Sequence, residues 1–469
     1  MTSQPLEILV TVAKGAGKRL GAQIEDQIRS AVRAGTLAPG TRLPSTRDLS
    51  RQLEISRPVV VDAYAQLAAE GYVTMRQGSR PRVSHNVSFG KTAALPRADS
   101  ALVPRFDFRP AIPDLSSFPR TAWLRATREA LRTMLDDDLG YSDRHGSEVL
   151  RFALTEYLGR VRGVQCDAQH IVVTSGYEQG RYLVCRALRA AGAKRIAVED
   201  PSYNEWEAVR GAGLEMVPLP LDDDGIQLAA LERADADAIM VTPSHQFPTG
   251  VVMSGERRMA LLTWLRAHDA VAIEDDYDAE FRYDRPPVGA LQGLEPERVV
   301  YAGTASKSLA PALRLGWLVV PNRLIDAVRR EQRLADYGCP RIEQHALAQF
   351  ISSGELDRHL RRMRSRYDER REALVAALAK ELPDATVRGI AAGLHATVEL
   401  PASYDERSIR AEAARCGIGL DILGDHRITS RAGLPTLLLG YARSTEATIR
   451  AGVRELAIAI RATGTKRAR

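Results

Sequence analysis

From Gln169 onward strand-like apolar runs recur with helical stretches between them, and this alternation limits the chain more than any other feature of its sequence. The runs are HIVVTSG (170–176), KRIAVEDPSY (194–203), DAIMVTPSHQ (237–246), AVAIEDDYD (270–278), RVVYAGTASK (298–307) and GWLVVP (316–321). Most intervals between them are long enough for a crossover, so the pattern predicts an α/β body with a largely parallel sheet flanked by helices. Open sheets of this class bind ligands at their strand ends. The residues of this chain with useful chemistry fall at the ends of these runs.

Foremost among them is Lys307, in the stretch GTASKSLAPALRLG from Gly303 to Gly316. Its flanking runs place it on a turn between two buried strands of one sheet. Partial desolvation there favours the neutral amine, the form that attacks an aldehyde. Thr304, Ser306 and Ser308 bracket it with hydroxyls and Arg314 adds a cation, a donor set suited to a phosphate. A lysine-bound aldehyde that also carries a phosphate is pyridoxal phosphate. An isolated lysine of this kind is ordinarily just solvated, so the case rests on its companions. Ser175 and Gly176 end one run and open a helix, whose free amides and positive dipole end suit phosphate oxygens. Tyr203 offers a ring for stacking. Asp275 closes another run, where a carboxylate would keep a pyridine nitrogen protonated, and Tyr277 could donate to the ring's phenolic oxygen. Taken singly, these are also a plain strand-to-helix turn, a packed tyrosine and a solvated acidic loop or metal site.

The formal net charge is +6, and residues 1–90 hold twelve Lys and Arg against seven Asp and Glu. Nearly all of the excess is therefore in the first fifth, and nucleic acid is the partner it suggests. Leu20, Ile24, Ile28 and Val32 form a helical stripe over Leu20 to Ala34, which Gly35 ends. Ser45 is a candidate cap for a second helix to about Leu53, and Ser56 for a third through about Glu70 with Pro58 in its first turn. Tyr72 to Met75 and Arg82 to Ser84 read as short strands around a turn. Three helices and a two-stranded wing make the winged helix-turn-helix pattern.

The block LAPGTRLPSTRDLSRQLEISRPVVVDAYAQLAAEGYV resembles the GntR family of DNA-binding domains. The resemblance implies that Ser45, Thr46, Arg47, Ser56, Arg57 and Val59 face double-stranded DNA, with Arg76 and Arg80 as wing contacts. The motifs VTSGYEQG, EDPSYN, TPSHQFPTG, EDDYDAEFRY and GTASKSLAPALRLGWLV together resemble the fold-type-I aminotransferases. More narrowly, the combination is similar to the MocR subgroup, in which a GntR-like head is joined to an aminotransferase-like body. That resemblance implies Lys307 as the Schiff-base lysine, Asp275 on the pyridine nitrogen and Tyr203 on the ring. It places Ser175, Gly176, Thr304 and Arg314 at the phosphate, with Tyr177 also at the cofactor. Tyr141, in LGYSDRHGSEVLR, matches a tyrosine that reaches the phosphate from a neighbouring subunit, which implies a homodimer. The expected layout is a head over 18–85, a flexible linker over 86–105 and a body over 106–469.

Two positions depart from the enzymes of that fold. Phe247 stands before Pro248-Thr249-Gly250 where an asparagine usually bonds the ring oxygen, and phenylalanine cannot make that bond. The late strand reads Leu437-Leu438-Leu439-Gly440-Tyr441 where an arginine usually grips a carboxylate, and Arg443 lies beyond it. These changes favour a transcriptional regulator that senses pyridoxal phosphate, or an amine displacing Lys307, over a working aminotransferase. A scaffold whose body only dimerises is the third possibility. Cys166, Cys185, Cys339 and Cys416 have no paired spacing and no run spans a membrane, so a reduced cytoplasmic setting is expected. The basic stretch RHLRRMRSRYDERR reads as a solvated helix face or an auxiliary DNA-facing stripe.

Overall fold

Apolar side chains spaced four apart build the first helix of the head, Leu20–Arg33, and its Ile24, Ile28 and Val32 are buried. In the computed structural model, which describes residues 10–13, 19–85, 104–141, 143–203, 206–278, 280–283, 288–429 and 433–464, the chain forms two compact units, Met1–Ala101 and Leu102–Arg469. The linker expected over 86–105 lies outside the described residues up to 103, as do the C-terminal Lys466, Arg467 and Arg469. Gly35, at φ +77°, leaves the first helix. The second helix, Thr46–Gln52, is capped by Ser45, whose hydroxyl accepts from the Asp48 amide. The third, Arg57–Ala69, begins with proline in its first turn, and Ser56 makes no capping bond there. Here the fixed φ of Pro58 serves in place of the expected cap. Val73–Thr74 and Arg82–Val83 pair antiparallel as the wing. Tyr64 locks the unit by donating to the Pro44 carbonyl at 3.0 Å from a fully buried position.

The second unit is built on an eight-stranded sheet. In spatial order its strands are Ile171–Thr174, Gly316–Val319, Val299–Thr304, Val271–Asp276, Ala238–Val241, Arg195–Asp200, Glu215–Asp222 and Gly225–Ile226. The four strands from Val299–Thr304 to Arg195–Asp200 are parallel, as is Glu215–Asp222. Gly316–Val319 differs, running antiparallel between Val299–Thr304 and Ile171–Thr174. Its cause is connection length, because residues 305–315 form a short helix and a 3-10 turn rather than a crossover.

Both faces of the sheet are covered, so its strands read as continuous apolar runs rather than alternating ones. Val172, Ile196, Val198, Ile273, Val300 and Leu318 pack under the helices Tyr177–Ala190 and Asn322–Ala335. On the other face Ala197, Ile239, Val241 and Ala272 meet the helix Gly255–Ala267. A smaller antiparallel sheet of Thr386–Arg388, His395–Glu399, Thr436–Gly440 and Asp421–Ile422 follows. The start of the unit joins this region, because Phe106–Asp107 pairs parallel with Ile418–Gly419. The basic stretch from Arg358 lies on the helix Glu355–Glu381, where Arg358 pairs with Glu355, Arg364 with the Glu280 carbonyl and Arg370 with Asp114. No helix among the described residues is long and apolar enough to cross a membrane.

Gly316 sets how closely the strand beneath Lys307 approaches the turn at Gly176. A Cβ at 316 would lie 2.9 Å from the Gly176 backbone and 3.0 Å from Thr174 Oγ1. Gly316→Ala therefore forces two strand ends apart and should lower stability by about 1–3 kcal/mol, measured as the shift in denaturant midpoint at unchanged slope.

Candidate functional site

Lys307 sits on the helical turn Ala305–Ser308 that follows Val299–Thr304, and Thr304 caps that turn by accepting from the Ser306 amide at 3.1 Å. Strand register carries the other groups to the same end of the sheet. Ala302 pairs with Asp275 and Thr304 with Gly316, beside Thr174 and the Gly176 turn. A cavity of about 200 Å³ results, lined by Lys307, Asp275, Tyr277, Tyr203, Tyr177, Thr304 and Arg314, with Ala111, Glu178, Phe247, Ser306 and Pro311.

The lysine donates from Nζ to the Ala111 carbonyl at 2.8 Å. Burial lowers its pKa, opposed by the charges of Asp275 and Asp278. That shift enlarges the neutral fraction that can act as a nucleophile. Asp275 is buried, and one of its oxygens, Oδ1, has no hydrogen-bond partner. Burial drives its carboxyl well above the ordinary range, and the Tyr177 hydroxyl beside it works against that rise. An unpartnered buried carboxylate oxygen is costly unless something else bonds it.

Its neighbours in the same acidic run are satisfied internally. Glu274 accepts the amides of Leu291 and Gln292 at 2.7 and 2.9 Å. Asp276 takes Arg162 through two bonds of 2.7 and 3.0 Å and the Tyr301 hydroxyl at 2.7 Å. Strand alternation explains the split, because 274 and 276 face one side of the sheet and 275 the other.

Gly176, at φ +98°, precedes the helix Tyr177–Ala190, and Arg314, itself left-handed at φ +51°, lays its guanidinium over it. A Cβ on Gly176 would sit 3.5 Å from that guanidinium. Free helix-start amides and a cation thus share one spot. Ser175 is next to it, with Oγ 3.3 Å from Cys339 Sγ and its amide donating to Gln179 at 2.6 Å. The Tyr203 ring forms a wall, edge-on to Phe247 at 6.3 Å and under the Arg181 guanidinium at 5.5 Å. Tyr141 stands apart from these residues within the single chain and is 95% exposed.

Sequence reasoning did not find Ala111 or Glu178. Ala111 comes from the beginning of the unit, carries no motif and reaches the lysine through a backbone at φ +64°. Its signal is conformational and hence invisible in the residue type. Glu199 and Asp200 brace the site from behind: Glu199 accepts the Thr242 hydroxyl at 2.5 Å, and Asp200 accepts the Ile428 amide at 2.9 Å.

In the head, Arg47, Ser56, Arg57, Arg76 and Arg80 are exposed, while Ser45, Thr46 and Val59 are half-buried. Arg57 donates to Thr46 Oγ1 at 3.3 Å, joining the starts of the second and third helices. Arg80 reaches Asp48 at 3.5 Å, which draws the wing to the same region. Ser45 donates its hydroxyl to Asp48 at 2.7 Å, so the cap occupies that group.

Comparison with known proteins identifies the family of each unit. Residues 20–83 match the model of bacterial regulatory proteins of the gntR family, and residues 112–432 match aminotransferase class I and II. The chain is 35% identical to the HTH-type pyridoxine biosynthesis transcriptional regulator PdxR of Corynebacterium glutamicum over 80% of its length and 82% of that protein. It is 34% identical, over 92% of both chains, to a Rhizobium meliloti protein named "Probable rhizopine catabolism regulatory protein MocR". Among solved structures it resembles the multiple substrate aminotransferase of Thermococcus profundus, with a TM-score of 0.71 and 26% identity over 78% of this chain and 93% of that one. A gntR-type winged helix-turn-helix head and a fold-type-I aminotransferase-like body, in one chain and in the same order as these regulators, make it a member of the MocR subgroup of the GntR family.

Proposed function

We propose that this protein is a transcriptional regulator whose head binds an operator in double-stranded DNA and whose body senses a small molecule through pyridoxal phosphate held at Lys307. The buried carboxyl of Asp275, unpartnered at Oδ1 and lining the same cavity as Lys307, carries this reading. Within the buried acidic run this carboxyl alone keeps a buried oxygen without a protein partner, and a protonated ring nitrogen would compensate it. Tyr203 would stack on the ring, and Thr304, Arg314, Ser175 and Gly176 would hold the phosphate, with Tyr177 steadying Asp275. Bound there, pyridoxal phosphate supplies an aldehyde that exchanges amines and a ring that withdraws electrons.

The residues of the chain suggest how occupancy is reported. Free Lys307 is tied to the Ala111 carbonyl. Lys307 would hold the cofactor through that amine, and its bond to the Ala111 carbonyl would then be given up. Ala111 belongs to the segment that begins the unit, whose Phe106–Asp107 is paired with Ile418–Gly419 and whose Asp107 is bonded to Arg109 and Arg443. A change at the lysine thus acts on the stretch of chain next to the linker, and a homodimer completed by the partner's Tyr141 would transmit it to two heads.

The effector is pyridoxal phosphate itself or an amine that displaces Lys307. The absence of a cation on the strand Thr436–Gly440, where Leu438 is fully buried, favours the vitamin over an amino acid gripped by its carboxylate. The name of the Corynebacterium relative agrees with a role in vitamin B6 metabolism. Phe247 in the cavity wall disfavours an efficient aminotransferase, and steady turnover of an amino donor and a keto acid would reverse that order.

Lys307→Ala should abolish the visible absorbance of the protein with pyridoxal phosphate and the borohydride-stable adduct on the Lys307 peptide. Operator affinities with and without the vitamer should then agree to within about twofold, since a ligand that distinguishes no states shifts none. An intact vitamer response in that variant would refute the sensing role. In the head, Arg47→Ala and Arg57→Ala should each weaken operator binding and lower the slope of log affinity against log salt by about 0.9 for each phosphate left without its arginine. Unchanged slopes in fluorescence-anisotropy titrations would remove these arginines from the DNA.

A further inference from the structure

The long helix Glu355–Glu381 meets the turn that bears Lys307 at a buried histidine. Leu356, Leu360 and Met363 of that helix belong to the same buried cluster as Ala305, Leu309 and Leu315, which flank the lysine in sequence. His359, on the same stretch of helix, is 4% exposed. Its Nε2 stands 3.0 Å from the Ser308 carbonyl, and its Nδ1 stands 3.0 Å from the Arg362 guanidinium.

These two contacts settle where the ring carries its hydrogen. A guanidinium only donates, so Nδ1 is the bare, accepting nitrogen, and a carbonyl only accepts, so Nε2 holds the proton. Both ends require the neutral ring. Burial, and then the charge of Arg362, favour that form and push the imidazole down to about 4, with Arg366 adding to the effect and the Ser308 bond opposing it. Ser308 is itself buried and closes the four-residue turn, in which the Ala305 carbonyl takes the Leu309 and Ala310 amides at 2.9 and 3.2 Å. The end of a helical turn leaves carbonyls without an internal donor, and here the imidazole supplies one. The backbone just after Lys307 is thus anchored to His359, while the tip of the lysine is anchored to Ala111.

We propose that His359 is a positioning residue: by holding the Ser308 carbonyl it fixes the rotation of the turn Ala305–Ser308 and keeps the Lys307 amine directed into the cavity. The inference rests on the reading of Lys307 as the residue that takes pyridoxal phosphate. It gives one member of the basic stretch a task that has nothing to do with its charge. An apolar side chain at 359 would leave a buried carbonyl without a donor, and the turn would rotate to find another.

The test follows Lys307 in the full-length protein by two measurements. Competitive acetylation with acetic anhydride across pH, read by mass on the Lys307 peptide after cofactor removal, reports the surroundings of the amine. Visible absorbance on adding pyridoxal phosphate reports its engagement. His359→Leu should raise the acetylation midpoint by about half a pH unit, because burial is what lowers it, against the charges of Asp275 and Asp278. It should also weaken the apparent affinity for pyridoxal phosphate about fivefold, the size of one neutral hydrogen bond. His359→Asn, whose amide stops near the Nδ1 position, should behave in the same way, and serves if the leucine variant does not fold. His359→Gln, which keeps an N–H where Nε2 stands, should restore most of both values. Arg362→Met leaves the Nε2 hydrogen on its carbonyl and should change the affinity by less than about twofold. Met363→Ala, a cavity on the same helix, should lower the denaturant midpoint and leave Lys307 unaltered. Wild-type values in the leucine and asparagine variants, no recovery with glutamine, or an equal effect of Met363→Ala overturns the proposal. Acetylation midpoints that follow the expected order in a protein that develops no absorbance with the vitamer overturn the cofactor reading and leave the positioning role standing.

Discussion

Four carboxylates leave water within five residues at the end of one central strand: Glu274, Asp275, Asp276 and Asp278 are all buried. Removing so much charge from solvent is tolerated only with near-complete compensation. Glu274 takes two backbone amides, Asp276 a paired arginine and a phenol, and Asp278 an imidazole. Asp275 alone keeps an unpartnered oxygen among the four. The site is therefore the place where an otherwise closed polar network has been left open. The buried Arg162 that holds Asp276 also donates to the Val288 carbonyl and Ser244, so the strand end and the loops around it are fixed together.

The same economy appears at Lys307. Its short helical turn exists because the chain doubles back immediately, laying Gly316–Val319 antiparallel into a sheet whose central strands are parallel. A crossover would have carried the following strand elsewhere. The reversal instead brings Gly316 against the Gly176 turn and Arg314 over it, so lysine, cation and helix-start amides converge from two distant parts of the sequence. Burial then lowers the proton affinity of the amine without any dedicated base.

In the head the electrostatics are of the opposite kind. The arginines at the starts of its second and third helices and in the wing, Arg47, Arg57, Arg76 and Arg80, are exposed, and Arg80 to Asp48 at 3.5 Å and Arg57 to Thr46 at 3.3 Å are interactions that a phosphate can outcompete. The charge of the body is buried and internally compensated, whereas the charge of the head is solvated and suited to a polyanion. Both are carried in a chain whose formal charge is only +6.

Much of this was legible in the residues themselves. Apolar runs long enough to be buried on both faces, the four-residue stripe of the first helix, the cap at Ser45 and the small-residue turn around Lys307 are local patterns, and local patterns follow from side-chain chemistry and period. So did the choice of Asp275, because it closes an apolar run. What tertiary structure alone decided is which groups meet and which remain unpaired. Ala111 reaches Lys307 through its backbone carbonyl, and His245 and Asp278 close on Tyr277. Each depends on register, on a left-handed backbone or on partners far apart in the chain. Residue type fixes what a group is able to donate or accept, and only packing fixes whether a partner is within reach.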